Sequence, residues 1–331
     1  MALTSLQLAL VVIFSLVLLL LLILLAFKVY IILNKREKAS TAKMNGKIVI
    51  ITGANSGIGK ETAKELALRG AKVIMACRNI DVANKVKDEI VKETKNDNVI
   101  VKKLDLSSLS SVRSFAEDIN KTEGKLDVLI HNAGVAYTFE KVVTKDGLDM
   151  TMATNHFGPF LLTHLLIDLL KKSKPSRIVV VASELYVFAF NFNVNMLNPV
   201  RFWFPAYLYY YSKFANILFA LELSRKLENT GVTVNCLHPG MIDSGIWRNV
   251  PFPLNLFLLP LTKVLFKTPQ EGCQTTVNCA VAPELANVTG KYFMNCKERE
   301  LAGFVKDCAK AKKVWELSEE FVKLQETDPR I

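Results

Sequence analysis

The sequence predicts an α/β domain, a parallel sheet with helices on both faces, preceded by a membrane-spanning helix. Three observations carry this. Short β-branched runs alternate with helical patterns at intervals of about thirty residues, the length of a strand–helix–strand unit. The first of these runs, Ile48 to Ile51, breaks into Gly53-x-x-x-Gly57-x-Gly59 before a helical pattern begins. Finally, residues 1–27 contain no charged side chain, and 6–27 are almost all Leu, Val, Ile, Ala and Phe.

At helical rise, residues 6–27 reach roughly 33 Å, enough for a hydrocarbon core of about 30 Å. A cleaved secretory leader has a shorter apolar region behind a basic start, which is absent here, so a retained anchor is expected. The anchor is followed by Lys28, Lys35, Arg36, Lys38 and Lys43 against Glu37 alone. This asymmetry assigns the rest of the chain to the cytosol. The expected division is an anchor with its basic flank, 1–44, and one domain, 45–331. The net charge of +11 is scattered, with no basic and aromatic interleaving, so nucleic acid is not an expected partner. Of the six cysteines none forms a Cys-x-x-Cys pair, which reads as reduced thiols and no metal site. The sequons at Asn120 and Asn287 matter only on a luminal domain.

After the first strand, helical spacing of Thr62, Ala63, Leu66 and Ala67 runs to Gly70. Strands are expected at 72–76, 99–104, 126–130, 177–181 and 232–236, and helices at 82–95, 108–120, 147–170 and 208–227. Two apolar stretches, 186–207 and 247–266, read as insertions into this alternation.

In an open parallel sheet ligands bind beyond the C-terminal ends of the strands, so the residues there are the candidates. The glycine turn lets backbone approach a phosphate at a helix N-terminus. Strand two ends in Cys77-Arg78, where an NAD ribose would need a carboxylate and a 2′-phosphate a cation, so NADP(H) is the expected cofactor. Strand three ends in Asp105-Leu106, strand four in His131-Asn132-Ala133-Gly134, and strand five in Ala182-Ser183. The long helix after strand five opens with Tyr209-Tyr210-Tyr211-Ser212-Lys213. Tyr209 and Lys213 share a face at i,i+4. An ammonium there is expected to lower the phenol below about 10, as an acid/base near neutral pH requires. Tyr210 is also within reach at i,i+3, and spacing leaves the two open.

Taken together, Thr52-Gly-Ala-Asn-Ser-Gly-Ile-Gly59, Asn132-Ala-Gly134, Asn155, Ser183, Tyr209-x-x-x-Lys213 and Pro239-Gly240 resemble the short-chain dehydrogenases/reductases over about residues 45–325. The resemblance implies a Rossmann-like, doubly wound sheet of about seven parallel strands. It makes Tyr209 the proton donor or acceptor and Ser183 the group that positions the carbonyl oxygen. Lys213 would hold the nicotinamide ribose and tune Tyr209, and Asn155 would anchor a relay water. Cofactor contacts are implied at Gly53, Asn55, Ser56, Gly57, Ile58, Gly59, Arg78, Asp105, Leu106, Asn132, Ala133, Gly134, Tyr209, Lys213, Pro239, Gly240, Ile242 and Ser244. The segments 154–164, 213–219, 238–240, 267–272 and 290–297 look like the microsomal retinol dehydrogenases of the type 11 to 14 group. A related branch acting on polyprenols shares several of them. His131 and Ala182 depart from the usual residues at their positions without removing a reacting group.

His156, His164 and His238 have no metal-ligand spacing and are expected to be structural. The aromatics Phe188, Phe190, Phe192, Trp203, Phe204 and Tyr207 read either as core or as an apolar substrate lip or membrane contact. The expected protein is thus a single-pass oxidoreductase of the endoplasmic reticulum membrane, its catalytic domain cytosolic, with another intracellular membrane or the lipid droplet as alternatives. It would interconvert a lipophilic alcohol and its carbonyl form, retinol/retinal first, with net retinal reduction. Steroid, polyprenol or lipid-aldehyde reduction is the alternative on the same fold, and an idle membrane-surface scaffold the alternative of another class. The bilayer and a lipophilic small molecule are its expected partners, and a homo-oligomer is left open.

Overall fold

The computed structural model describes residues 4–331 except 34–37, 138–139, 199–204, 244–255, 257–261 and 264–265, and the backbone alone at 31–33, 205 and 206. Its strands are β1 (Ile48–Thr52), β2 (Lys72–Cys77), β3 (Val99–Lys103), β4 (Val128–His131), β5 (Ser176–Val181), β6 (Val232–His238), β7 (Lys291–Met294) and β8 (Lys297–Glu298). They form one sheet in the order β3-β2-β1-β4-β5-β6-β7-β8. Seven strands are parallel, as the sequence led us to expect, and the two-residue β8 adds an antiparallel edge.

The helices are α1 (Ser5–Leu33), α2 (Gly57–Leu68), α3 (Ile80–Thr94), α4 (Leu109–Thr122), α5 (Gly158–Lys172), α6 (Pro205–Lys226), α7 (Pro269–Val281) and α8 (Cys308–Phe321). Local chemistry sets their starts. Asn79 accepts from the Val82 amide (3.1 Å) and Ser108 from that of Ser111 (3.3 Å), each satisfying a donor the helix leaves orphaned. Thr268 and Glu271 close a reciprocal capping box with Pro269 at the first position of α7. The helix expected over 147–170 begins later. Gly147 takes a positive φ of 80°, and the Asp149 carboxylate caps the Met152 amide at 2.9 Å. A short turn, Met150–Met152, then widens into a π-helical turn, Ala153–Phe157, before α5. Such a turn inserts one residue into the helix and re-aims the side chains around it.

Alternate residues along each strand feed the two faces. Ile50, Leu129, Ile178 and Val180 join Phe157, Phe160, Phe214, Phe219 and Trp315 in one core. Val49, Ile51, Ile130 and Val179 join Leu66, Ile90 and Val277 in the other. Helix α1 packs differently. Its stretch Ser5–Tyr30, mean hydropathy 3.5 with none of it buried, is long and apolar enough to cross a membrane.

Since β1 lies between β2 and β4, the chain reverses its direction across the sheet there, and the crevice at such a switch point is where α/β folds bind ligands.

Candidate active site

A cavity of about 900 Å³ opens beyond the C-terminal ends of β1, β4, β5 and β6. Its floor is the turn from β1 into α2. Gly53, Asn55, Ser56, Gly57, Ile58 and Gly59 all line it, and the N-cap Ser56 makes no side-chain capping bond. The first-turn amides of α2, with the positive end of its dipole, are therefore available to an anionic group. A side chain at position 59 would not fit, because a Cβ there would lie 2.3 Å from the Gly53 carbonyl oxygen and 2.5 Å from Asn132 Nδ2. Overpacking of this kind costs about 1–3 kcal/mol. Gly59→Ala is accordingly expected to weaken dinucleotide binding roughly ten- to hundredfold, read by cofactor fluorescence titration on protein of unchanged circular dichroism. Unaltered affinity would mean that this turn is not the phosphate cradle.

Thr52 and Asn132 staple the turn to β4. The Thr52 hydroxyl accepts from the amides of Asn132 and Ala133 (3.0 Å each), and Asn132 Nδ2 donates to the Thr52 carbonyl at 2.9 Å. Cys77 lies beneath the turn. Burial pushes its thiol up to about 11, against the pull of the Ala54 and Asn55 amides. Arg78 next to it is exposed at the cavity rim, with no ion pair to it among the described residues.

The opposite wall carries Ser183, Tyr209 and Lys213. Ser183 follows β5, is 6% exposed, and accepts from the Leu185 amide at 3.2 Å. Tyr209 is half-buried on α6 and shares a side-chain hydrogen bond with Ser183. Lys213, one turn further along, is 3% exposed and donates from Nζ to the Val181 carbonyl at 2.9 Å.

The electrostatics correct one expectation. Burial pushes Tyr209 up to about 12, although the bond from Ser183 opposes this, and burial also brings Lys213 down to about 8. Lys213 Nζ stands 5.6 Å from the Tyr209 ring centroid and gives one of its three N–H donors to Val181, and desolvation outweighs the cation expected to lower the phenol.

Asn155 lies behind this wall and is not among the lining residues. Its Oδ1 accepts from the Val135 amide (2.8 Å), and its Nδ2 donates to the Val135 carbonyl and Ser212 Oγ (2.9 Å each). The π-helical turn thus delivers a side chain that ties the loop after β4 to the helix bearing Tyr209 and Lys213.

Asp105, Leu106, Ala133, Pro239, Gly240 and Ile242 line the cavity with the residues already named, and Ser244 lies outside the described residues. The structure brings in others that strand-end reasoning missed. Met294 ends β7 and Asn295 follows it, and Lys267 Nζ donates to Asn295 Oδ1 at 2.7 Å. A polar residue after a strand was the signal, but β7 had not been recognised. Phe27 and Tyr30 of α1 also line the cavity, and nothing in the sequence places them there.

His131 is not among the lining residues: its Nε2 lies 2.8 Å from Thr163 Oγ1 on α5. Burial holds His131 at about 3 and His156 at about 4, so both are neutral at physiological pH. His238 lines the cavity, and its Nδ1 has no hydrogen-bond partner among the described residues. Burial first, and then the charges of Lys267, Arg299 and Lys213, lower it to about 3.

The fold, with a glycine-turn cavity at its switch point, is that of the dinucleotide-binding α/β proteins. A family profile described as short chain dehydrogenase matches residues 47–252, and the chain belongs to that family. Retinol dehydrogenase 14 of Homo sapiens is 44% identical over 298 residues, covering 85% of this chain and 88% of its own. Retinol dehydrogenase 11 of Homo sapiens is 42% identical over 280 residues, covering 84% and 86%. The crystal structure of an uncharacterized protein from Mycobacterium paratuberculosis, 30% identical, superposes with a TM-score of 0.67 over 86% of this chain and 98% of that one.

Proposed function

We propose that this chain is a membrane-anchored, NADP(H)-dependent oxidoreductase that interconverts a lipophilic alcohol and its aldehyde or ketone, with retinol/retinal the leading pair and retinal reduction the net direction. The observation that carries the reading is the cavity itself, which joins a glycine-turn anion cradle at one end to Ser183, Tyr209 and Lys213 at the other. The names of the relatives support the retinoid. The direction follows the cofactor, whose cytosolic pool is kept largely reduced, and a protonated Tyr209 holds the proton that reduction consumes.

Bound NADPH would supply the hydride that adds to the carbonyl carbon, and NADP⁺ would take it back in the alcohol direction. The chain's own residues handle the oxygen. Ser183 donates a hydrogen bond to the carbonyl oxygen and fixes its place, while Tyr209 donates a second and passes its proton as charge develops there. Lys213, brought near the phenol by α6, favours the phenolate left behind until it is reprotonated. Asn155 acts at one remove, by holding the loop at Val135 and Ser212 on α6.

The test is membranes containing the full chain, supplied with NADPH and, separately, retinal, a steroid ketone, a polyprenal and an alkenal. Retinal reduction at the highest kcat/KM is expected, and absence of turnover on every carbonyl would sink the reading.

Cofactor choice is expected to rest on Arg78, where Cys77 stands in place of a carboxylate. A hydrogen bond to a charged group contributes about 1.5–3 kcal/mol, so Arg78→Glu should raise the NADPH KM roughly tenfold or more with little change for NADH. Equal effects on both cofactors would remove the assignment to a 2′-phosphate.

Orientation rests on the charge asymmetry about α1. Protease added to sealed microsomes should digest the domain. Glycosylation of Asn120 or Asn287 in cells would place it on the luminal side instead.

A further inference from the structure

We infer that the apolar patch beside the cavity, made of Phe188, Phe190, Tyr207 and the cavity-lining Met241, is a docking surface for the bilayer that holds α1, so that the substrate enters the cavity from the lipid. This rests on the membrane-anchored reading and goes beyond it by naming the face. Phe188, Phe190, Tyr207 and Met241 are 52%, 61%, 43% and 44% exposed. In the same segment Tyr186 and Phe192 are 3% and 6% exposed, so the chain packs some of these rings inward and turns others to the outside. Two of the outward rings reach a cavity-lining residue. Phe188 and Tyr207 lie with ring centroids 5.6 and 5.9 Å from Tyr210, which lines the cavity, as does Met241. Contiguous apolar surface of this kind around a pocket mouth marks a partner or a membrane.

The anchor decides which. Phe27 and Tyr30, at the end of the apolar stretch Ser5–Tyr30, line the same cavity. A bilayer that embeds the stretch therefore has its surface at the level of the cavity, and the apolar patch beside it is brought to headgroup depth. Tyrosine, apolar in its ring and polar at its hydroxyl, suits that boundary. Interfacial apolar side chains reach about 5–10 Å into it.

The experiment uses the full chain with Cys296→Ser and Cys308→Ser, reconstituted in phosphatidylcholine vesicles that carry doxyl-labelled phosphatidylcholine. A fluorophore is attached at Phe188→Cys, Phe190→Cys, Leu20→Cys in α1, or Glu117→Cys on the exposed face of α4. Quenching at 188 and 190 approaching that at 20 and far above that at 117 is expected. Quenching at 20 with none at 188 and 190 overturns the docking face and leaves the anchor standing, as does shielding of 188 and 190 from lipid and aqueous quenchers alike, the mark of a protein contact. Absence of quenching at 20 removes the anchor and this proposal with it. In activity, Phe188→Ser combined with Phe190→Ser should raise the KM for a vesicle-dissolved long-chain aldehyde, relative to a water-soluble short one, roughly fivefold. An unchanged ratio counts against entry from the lipid.

Discussion

Tyr209→Phe is expected to slow single-turnover hydride transfer by about 10²–10⁴-fold, the usual loss when a general acid is removed, while NADPH still binds. The three consecutive tyrosines have different surroundings. Tyr209 lines the cavity and shares a hydrogen bond with Ser183. Tyr210 lines the cavity but packs its ring against Phe188 and Tyr207. Tyr211 is 8% exposed and meets the Phe192 ring edge-on at 5.0 Å. Tyr210→Phe and Tyr211→Phe, which keep these ring contacts, should therefore remain close to the parent rate. A near-parental Tyr209→Phe, or a Tyr210→Phe that is the dead variant, would show that the proton comes from elsewhere.

Lys213→Met is expected to lose turnover by about a hundredfold or more, as removal of an acid/base partner does, and yet to make the cofactor-free protein more stable at neutral pH. The second effect follows from burial. Lys213 has a pKa of about 8 in the folded chain against 10.5 as a free side chain. Between those values the unfolded chain binds more protons, so the parent gains stability as pH rises through 8 toward 10.5, and below 8 the full cost of the buried charge remains. That cost is roughly 3 kcal/mol by the size of the shift, and losing the bond to Val181 returns about 1 kcal/mol of it. Denaturant unfolding of the detergent-solubilised full chain should show the variant ahead of the parent at pH 7, with the gap closing by pH 10. A gap that stays constant across this range would mean that the lysine carries no buried charge.

Much of the fold was legible because its strands bury both faces. The continuous apolar stretches of β1, β2 and β5 need no partner to be recognised, and the glycines after β1 mark both the turn and its ligand chemistry. β7 was not recognised, being four residues long and dependent on pairing with β6. α7 hides its buried face in small and polar residues, Cys273, Thr276 and Ala280, which make no clear apolar stripe. The π-helical turn at 153–157 depends on where Asp149 caps the chain and on what α6 offers to Asn155, contacts that no periodicity records.

The sequence by itself determined the α/β class, the positions of the glycine turn and of most strand ends, and the placing of Tyr209 and Tyr210 within reach of Lys213 on one helix, because each follows from spacing along the backbone. Only the tertiary structure decided which way the electrostatics run. Desolvation by surrounding elements raises Tyr209 and lowers Lys213, overriding a cation one turn away. It also separated Phe188 and Phe190, which face outward, from Phe192, which packs against Phe214 in the core. Exposure and dielectric are properties of what folds around a residue, and neighbours distant in sequence set both.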